Sequence, residues 1–379
     1  MLFELNDSIN SISKTDWDAL NTSHFPFTTY AFLSALEASG AVSKRTGWQA
    51  KHLVVKDKDK LIAVIPSYLK QHSYGEYVFD FQWAEAYQSV GYNYYPKLVS
   101  AIPFSPVTGP RLLVHSDYNE VNVLDFITNE TKKLLSESAY SSWHSLFLTK
   151  EKSDLFASKL LSQRRAVHFK WVNRSYASFD DFLDTCSSRH RKNMRKERRK
   201  VIEQGIQLRQ IEGPDVTEKE WRHFYQFYQA TYLKRSGHEG YLSADFFILL
   251  QQTMAKQLML VTATKDQKMV GAALYLKDDK SLYGRYWGSY SEDEFLHFEA
   301  CYYQGIEYCI RHGLKYFDPG VQGEHKLQRG FEPYFTYSNH WLVHPEFRLA
   351  INQFLKDEAP YIEDYFSYTQ TRLPYKKLE

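Results

Sequence analysis

The feature that most constrains this chain is a change of hydrophobic period between residues 283 and 331. The segment opens with Tyr283-Gly-Arg-Tyr-Trp-Gly288, which is aromatic-rich and of strand length. From His297 to Arg311 the apolar side chains recur every three or four positions, as on the buried face of a helix. Gly313 then ends the helix, and 314–317 has the character of a second strand. The pattern therefore predicts a β–α–β unit.

A loop crowded with ionisable side chains follows the second strand of this unit. Open α/β sheets usually place their ligands at the carboxyl ends of strands. We therefore expect a functional site in this loop, although a solvated loop after an edge strand is the alternative. The ionisable residues concerned are Asp318, Glu324, His325, Lys326 and Arg329.

Composition narrows the class of protein. The chain has 379 residues, of which 43% are hydrophobic and 24% charged, values that are ordinary for a folded globular protein. The net charge is +2, so any preference for anions must come from local clusters. Three cysteines and no C-x-x-C pair argue against a disulfide framework. With neither a signal peptide nor a membrane-spanning apolar run in the sequence, we expect a cytoplasmic protein, and its oligomeric state is left open.

Two passages far apart in the chain match each other. Leu53–Lys70 and Leu260–Lys277 align without a gap, each as an apolar strand, a Lys/Asp turn and a second strand ending in Tyr-Leu-Lys. Shortly afterwards Tyr74-Gly-Glu-Tyr77 corresponds to Tyr283-Gly-Arg-Tyr286. Hairpins share composition, so chance is the alternative, but the shared order and spacing favour a duplication.

The duplication predicts the architecture. We expect an α/β (α+β) fold with two domains, 1–175 and 176–379, each with a mixed, mostly antiparallel sheet flanked by helices. In the first domain Lys97 and Arg111 lie in the passage that corresponds to the β–α–β unit and its loop. They are candidates for substrate binding, with ordinary surface charge as the alternative.

The most charged piece of the chain runs from Arg189 to Lys200. It holds eight Lys or Arg and a single Glu, with Met194 and Val201 forming a narrow apolar seam on the predicted helix. A solvated helix face is one interpretation. The other is an anion-binding helix, because such a run of like charges is stabilised by phosphates of RNA, a nucleotide or a lipid head group. The anion-binding candidates are Arg191, Arg195 and Arg198.

The loop and the strand before it also offer the groups that acyl transfer needs, namely a base for an acceptor amine and donors for an oxyanion. The candidate bases are Asp318, Glu324 and His325. The candidate substrate-binding residues are Lys326, Arg329, Arg285, Tyr283 and Tyr286. His297 and Glu299 are interpreted as structural, and His340 and His344, in and after a strand, are not expected to chelate a metal.

The passage FDPGVQGEHKLQRGFEP at 317–333 closely resembles a bacterial FemAB-like family linked to peptidoglycan biosynthesis or recognition. His72–Asp80, Tyr95-Pro-Lys97 and Gly109-Pro-Arg-Leu112 resemble the same family, and the likeness covers nearly the whole chain. This resemblance places the chain in the Fem group of the GNAT acyltransferase superfamily. It implies two tandem GNAT-like domains and transfer of an amino acid from aminoacyl-tRNA to the amine of a peptidoglycan precursor. The Fem group's basic helix is similar to Arg189–Gly205.

The chain departs from the Fem pattern in two places. Leu327-Gln328 stands where Fem enzymes tend to have Phe-Lys, so the role of that lysine has passed to Lys326 or Arg329 or is lost. A second charged hairpin, which would form a tRNA-binding arm, is also not evident in the sequence. The residues do not favour acyl-CoA either, because 289–294 is acidic and lacks the Gly-x-Gly that would bind a pyrophosphate.

Two functions remain after these arguments. The first is an acyltransferase or aminoacyltransferase acting on an amine, with a cell-wall precursor as a candidate acceptor, and with aminoacyl-tRNA and acyl-CoA both open as donors. The second is a non-catalytic module that recognises peptidoglycan precursors or another amine-bearing polymer. Neutralising the loop acids would distinguish them. An enzyme should lose turnover and keep its binding, whereas a binding module has no turnover to lose.

Overall fold

The computed structural model describes residues 1–321 and 323–376, which form two compact units. The first contains 1–167 and 335–364, and the second contains the described residues of 168–334 and 365–376. Residues 335–364 had been assigned to the second domain from the sequence. They fall in the first unit because Tyr337 and Trp341 pack into its hydrophobic core.

The first unit is built from eight strands and five helices among its described residues, before a strand that crosses into the second unit. The strands are β1 (Leu2–Asn6), β2 (Trp48–Ala50), β3 (His52–Asp57), β4 (Lys60–Ile65), β5 (Tyr68–Lys70), β6 (Lys97–Ser100), β7 (Leu113–Val114) and β8 (Ser142–Leu148). The helices are α1 (Lys14–Leu20), α2 (Tyr30–Ala38), α3 (Phe81–Ser89), α4 (Glu120–Ser136) and α5 (Lys150–Ala157). The crossing strand is β9 (Ser162–Val172).

The second unit continues with α6 (Phe179–Thr185), α7 (Ser188–Glu203), β10 (Gln207–Glu212), α8 (Glu218–Ser236), α9 (Ala244–Met254), β11 (Leu258–Lys265), β12 (Lys268–Lys277) and β13 (Ser281–Ser289). It then has α10 (Leu296–Phe298), α11 (Gln304–His312) and β14 (Tyr316–Asp318). The chain returns to the first unit through β15 (Glu332–Leu342) and ends with α12 (Pro345–Thr371). Among the described residues, none of the helices combines the length and the apolar character that a membrane span requires.

Each unit has a mixed, mostly antiparallel sheet flanked by helices, as predicted. In the first unit β1, β3, β4 and β7 form one antiparallel sheet, while β2, β5 and β6 pair antiparallel and β6 pairs parallel with β8. In the second unit the order is β10-β11-β12-β13-β14-β9, and only the β13–β14 pair is parallel.

The predicted β–α–β unit is confirmed. β13 and β14 are parallel neighbours, with Tyr283 opposite Asp318, and Gly313 ends the connecting helix with φ +66°. Between α10 and α11 the backbone makes a π-helical turn at Glu299–Tyr303, a feature that the periodicity did not reveal. Such turns often occur at functional sites because they change which side chains a helix presents.

The duplicated hairpins are also present, with two corrections. The β3–β4 hairpin and the β11–β12 hairpin have the same register when 208 is added to the residue numbers of the first. Both have a bulge two pairs before the turn, at Val55/Lys56 and at Ala263/Thr264. The gapless sequence alignment, which matches Leu53 with Leu260, corresponds to a shift of one residue less than this register. The alignment is therefore wrong by one position. The expectation that the second strand runs to Lys70 is also wrong, because β4 ends before Pro66 and β5 joins a different sheet. Proline lacks the N–H that a continuing ladder needs.

The basic segment forms α7, as predicted. Met194 and Val201 are its buried residues, and Gly205, at φ +77°, follows the end of the helix. Ser178 caps the preceding helix, α6, by accepting a hydrogen bond from the Asp181 N–H.

Candidate functional site

The loop after β14 folds back as a 3₁₀ helix over Glu324–Arg329, and glycines shape its approach. Gly323 has φ +98°, a conformation that side chains rarely adopt. A Cβ at this position would lie 2.1 Å from Cε1 of His325. The backbone at 323 therefore leaves room for the imidazole only because the residue is glycine.

Asp318, at the end of β14, is held by Arg285 of β13. Arg285 Nη2 donates to Asp318 Oδ2 at 2.9 Å and Nη1 donates to Oδ1 at 3.2 Å, while the Gly320 N–H also donates to Oδ1 at 2.8 Å. Burial raises the pKa of Asp318, but the charge and hydrogen bonds of Arg285 outweigh it and the pKa is lowered. Asp318 therefore stays ionised and fully bonded, which suits an anchor better than a proton acceptor.

Lys326 is a buried cation with no acidic partner among the described residues. Its side chain is 1% exposed, and Nζ donates to the carbonyl oxygens of Gly320 at 2.6 Å and Val321 at 3.3 Å. An ammonium has three donors, so one remains for a ligand. Burial lowers the pKa of Lys326 to about 8, with Asp318 opposing the shift. A buried donor of this kind is suited to stabilise a developing negative charge.

His325 lies beside Lys326 and contacts the π-helical turn. Its Nε2 and the hydroxyl of Tyr302 are 2.9 Å apart, and its ring centroid is 5.3 Å from that of Phe298. Burial, together with Arg329 and Lys326, lowers the pKa of His325 to about 4. At neutral pH the imidazole is therefore uncharged and able to accept a proton.

Arg329 connects the 3₁₀ helix to α7. Its Nη2 and Nε donate to the carboxylate of Glu197 at 2.7 and 3.0 Å, and its guanidinium stacks 3.5 Å from the centroid of Phe298. Nη1 donates to the His325 carbonyl at 2.7 Å. Arg329 is 5% exposed, and its partners show that it fixes the 3₁₀ helix in place.

Of the other candidates from the loop and β13, Tyr283 lies opposite Asp318, and Glu324 and Tyr286 lie elsewhere. Glu324 is exposed and accepts a hydrogen bond from the Tyr365 hydroxyl at 3.0 Å. Tyr283 donates to Asp278 Oδ2 at 2.8 Å. Tyr286 packs against Tyr228 of α8 and Phe247 of α9, with ring centroids 6.0 and 5.5 Å away. The structure thus brings together Asp318, Arg285, His325, Lys326 and Arg329, and leaves Glu324 and Tyr286 out of this group.

The three arginines proposed for anion binding differ in their surroundings. Arg191 pairs with Asp184 at 3.2 Å and Arg195 with Asp180 at 2.9 Å, and the Arg195 side chain is 53% exposed. Arg198 instead binds Glu299 at 3.0 Å and Glu307 at 2.7 Å and stacks on Phe179. Because two carboxylates already neutralise Arg198, its main role is to hold α7 to the π-helical turn. A cavity of about 750 Å³ lies beside these residues.

The first-unit candidates are both buried. Lys97 donates to Glu76 Oε2 at 2.8 Å and to Ser73 Oγ at 2.9 Å, and it also pairs with Asp80. Arg111 donates to the carbonyl oxygens of Val107 at 2.5 Å and Pro110 at 3.0 Å, and no described carboxylate pairs with it. The interpretation of these two residues as surface charge is wrong, because both are 0% exposed.

Comparison with known families shows to which family the chain belongs. A sequence model of the FemAB-like family, described as peptidoglycan biosynthesis/recognition, matches residues 8–377. The chain belongs to the FemAB-like family. No curated protein matches it by sequence.

Solved structures show that this FemAB-like chain shares the fold of FemX. It is similar to FemX with 13% identity and a TM-score of 0.53, covering 89% of this chain and 98% of FemX. A C-terminal domain of a putative lysylphosphatidylglycerol synthetase from Agrobacterium fabrum has 10% identity and a TM-score of 0.50, with 89% and 95% covered. A conserved protein of unknown function from Bacteroides thetaiotaomicron has the same identity and TM-score, with 89% and 99% covered. The chain thus shares the fold of these proteins, and its two units carry the equivalent hairpins that the predicted duplication requires.

Sequence reasoning missed several residues of this FemAB-like site. Tyr302 and Glu197 contact His325 and Arg329 from elements that lie far away in sequence. His168 of β9 interacts electrostatically with Asp318, and burial lowers its pKa to about 4. The aromatic pair Tyr302-Tyr303 is the signal in the sequence that could have pointed to the contact with His325.

Proposed function

We propose that this chain is an N-acyltransferase that transfers an acyl or aminoacyl group to an amine, with the reaction centred on His325 and Lys326. The observation that carries the proposal is the adjacency of a neutral imidazole and a buried ammonium without an acidic partner. The imidazole can accept a proton, and the ammonium can donate to an oxyanion. Arg285–Asp318 and Arg329–Glu197 are neutral pairs that hold the strand end and the 3₁₀ helix on either side of them.

In the proposed reaction the nitrogen of an acceptor amine attacks the carbonyl carbon of the donor. A C–N bond forms, the carbonyl electrons move to oxygen, and Lys326 stabilises the resulting oxyanion. His325 takes the proton that the amine loses. When the tetrahedral intermediate collapses, the bond to the leaving oxygen or sulfur breaks and the imidazolium returns the proton to it. Tyr302 orients the ring of His325 throughout.

The family description supports a cell-wall precursor as the acceptor, and a diamino acid side chain in a peptidoglycan stem peptide has the required amine. For the donor, the segment before α10 argues against a pyrophosphate, because residues 289–294 lack the Gly-x-Gly turn that would bind one. Glu292 and Asp293 are each paired with a lysine, Lys234 and Lys265, so their charges are largely neutralised. We therefore favour an aminoacyl ester such as aminoacyl-tRNA over acyl-CoA, and propose that the exposed side of α7 supplies phosphate contacts.

The test is an assay with a peptidoglycan stem peptide as acceptor and two donor sets, aminoacyl-tRNAs and short acyl-CoAs. Mass spectrometry of the acceptor identifies the group added. An amide-linked addition that depends on His325 and Lys326 supports the proposal, and the productive donor set resolves the donor. Failure of both sets across several acceptor amines, with a folded protein, would argue against transfer.

A non-catalytic recognition module is the second candidate, and one observation favours it. Two of the three acids and bases predicted from the sequence are unsuited to proton transfer, because Asp318 is ion-paired and Glu324 is exposed. A module would bind the stem peptide without turnover and would keep that binding after His325→Ala. In either case we propose a cytoplasmic location, because Cys186, Cys301 and Cys309 are free thiols.

A further inference from the structure

A polar stripe crosses one buried face of the first-unit sheet. Trp48 lies opposite Lys70, and Lys70 lies opposite Lys97. Residues opposite each other on neighbouring strands share a face, as do residues two apart on one strand. His144 continues the same face on β8, because it lies opposite Val99, two residues after Lys97. Sheet faces that are buried are normally apolar, so this stripe requires an explanation.

The two lysines of the stripe are bonded very unequally. Lys97 uses three acceptors, namely Ser73, Glu76 and Asp80. Lys70 is equally buried but donates only to the Tyr74 carbonyl, at 3.2 Å, and stacks 3.7 Å from the centroid of Trp48. Among the residues that the structure describes, no carboxylate lies within ion-pair distance of Lys70. Its ammonium therefore has two donors to spare.

Matching acceptors lie in the same cluster. The irregular segment 71–80, which we call the strap, carries Glu76 and Asp80 over the stripe. Glu76 is 3% exposed and Asp80 is 4% exposed. One oxygen of each, Glu76 Oε1 and Asp80 Oδ1, is buried and has no hydrogen-bond partner among the described residues. Unsatisfied buried carboxylate oxygens are rare and costly, so each one calls for a cause.

We propose that this stripe is a binding site for a small zwitterion, the α-amino acid group of a free amino acid or a small amino acid derivative. The spare donors of Lys70 match a carboxylate, and the idle oxygens of Glu76 and Asp80 match an ammonium. A simple anion would satisfy only Lys70, and a simple amine would satisfy only the two acids. Charge complementarity thus selects a ligand that carries both groups.

The protonation behaviour of the cluster agrees with this assignment. Burial lowers the pKa of Lys70 to about 7, although Glu76 opposes the shift. Burial also raises the pKa of Glu76 to about 7, although Lys97 opposes that shift. A bound carboxylate would favour the charged form of Lys70, and a bound ammonium would favour the charged form of Glu76.

The strap covers the site, so its movement admits the ligand. The Tyr74 carbonyl accepts both from Lys70 Nζ and from Trp48 Nε1, at 3.2 Å in each case. The bond from Lys70 is the one that a ligand carboxylate would replace. The Tyr74 side chain is 63% exposed at the tip of the strap. This site belongs to the first unit alone and does not depend on acyl transfer at His325.

The experiment measures binding of glycine and L-alanine to the full chain by titration calorimetry. Comparators that lack one charge are acetate, methylammonium, N-acetylglycine and glycinamide. We expect the amino acids to bind roughly tenfold or more tightly than any comparator, as loss of a bond to a charged group predicts. Lys70→Met should weaken amino acid binding by a similar factor. Lys133→Met, at an exposed lysine, should leave it unchanged.

Several outcomes would overturn the assignment. One is binding of acetate or methylammonium as tight as that of glycine, because the site would then recognise a single charge. Another is amino acid binding that survives Lys70→Met, which would place the ligand elsewhere. If Lys70→Met does not fold, the natural chain still tests the proposal, because zwitterions and single-charge comparators can be compared on it. Absence of amino acid binding to the natural chain would refute the proposal.

Discussion

The hydroxyl of Tyr302 and Nε2 of His325 lie 2.9 Å apart, joining a π-helical turn to the loop after β14. The contact is a consequence of the turn, because the extra residue in the helix sets the direction of the side chains that follow. It gives the imidazole one fixed orientation, while burial keeps it neutral. A base that is both oriented and uncharged is what the proposed transfer requires.

His325→Ala is expected to reduce transfer by roughly 100-fold or more, as for loss of a general base. Tyr302→Phe removes one hydrogen bond and should cost roughly tenfold. Since the pKa of His325 is about 4, kcat/KM calculated for the unprotonated acceptor amine should hold steady as the pH falls from 7 to 5 and decline as it approaches 4. Steady-state kinetics over this range, with thermal unfolding as the folding control, test all three statements. Full activity in both variants would show that another residue is the general base.

Lys326 should produce the alkaline limb of the pH profile. Its pKa is about 8, so the ammonium that stabilises the oxyanion is lost as the pH rises through that value, and activity should fall. Lys326→Arg keeps the charge to high pH and should shift the limb upward, even at reduced activity. Lys326→Met should remove activity at every pH. An alkaline limb that stays at the same pH in Lys326→Arg would assign it to another group.

Arg198 and Arg195 of α7 should behave in opposite ways. Arg198→Met leaves the carboxylate of Glu299, which is 4% exposed, without its ion-pair partner, and a loss of about 3–5 kcal/mol of unfolding free energy is expected. Arg195→Met, at an exposed residue, should change stability by less than about 0.5 kcal/mol. Urea denaturation measures both.

Binding of tRNA separates the roles further. Arg195→Met should weaken it and reduce its dependence on salt concentration, because one phosphate contact is lost. Unchanged salt dependence in this variant would count against α7 as an anion-binding helix. Arg198 is a poor position for such a test, since its loss disturbs the fold.

The sequence was informative where one local rule applied. The change of period at 283–317 was enough to predict β13, the connecting helix and β14. Apolar residues alternate in a half-buried strand and recur every three or four positions in a helix, so a short segment distinguishes the two. The loop composition likewise placed Asp318, His325 and Lys326 together. Glu197 and Tyr302 could not be predicted as their neighbours, because contacts between distant segments leave no local periodicity. The hairpin alignment was wrong by one residue because it maximised residue identity and did not take the positions of the turns and bulges into account.

Acid should destabilise the first unit through its buried histidines. His144 Nδ1 lies 2.6 Å from His340 Nδ1, and burial lowers the pKa of His144 to about 3. The unfolded chain binds a proton below about pH 6.5 and the folded chain does not, so stability falls as the pH drops from 6.5 toward 3. Between pH 6.5 and 5 the expected loss is roughly 2 kcal/mol for His144 alone. Denaturation at several pH values should show a shallower slope for His144→Asn than for His24→Asn, an exposed control. Equal slopes would show that another group is responsible.

Gly323 offers the sharpest separation of activity from stability. It and Gly313 both have positive φ, but they differ in ψ. Gly313 (φ +66°, ψ +19°) lies in the left-handed helical region, which alanine adopts at modest cost, whereas Gly323 (φ +98°, ψ +102°) lies outside it, so alanine costs more there. At Gly313 an added Cβ would meet nothing within 4 Å, whereas at Gly323 it would lie 2.1 Å from Cε1 of His325. Gly323→Ala must therefore displace the imidazole from Tyr302, and transfer should fall nearly as far as in His325→Ala. Gly313→Ala should lose less unfolding free energy than Gly323→Ala and should keep its activity, and transfer rates are compared per folded molecule. If the two variants lose activity equally, the effect comes from stability, and the position of His325 is not what the reaction depends on.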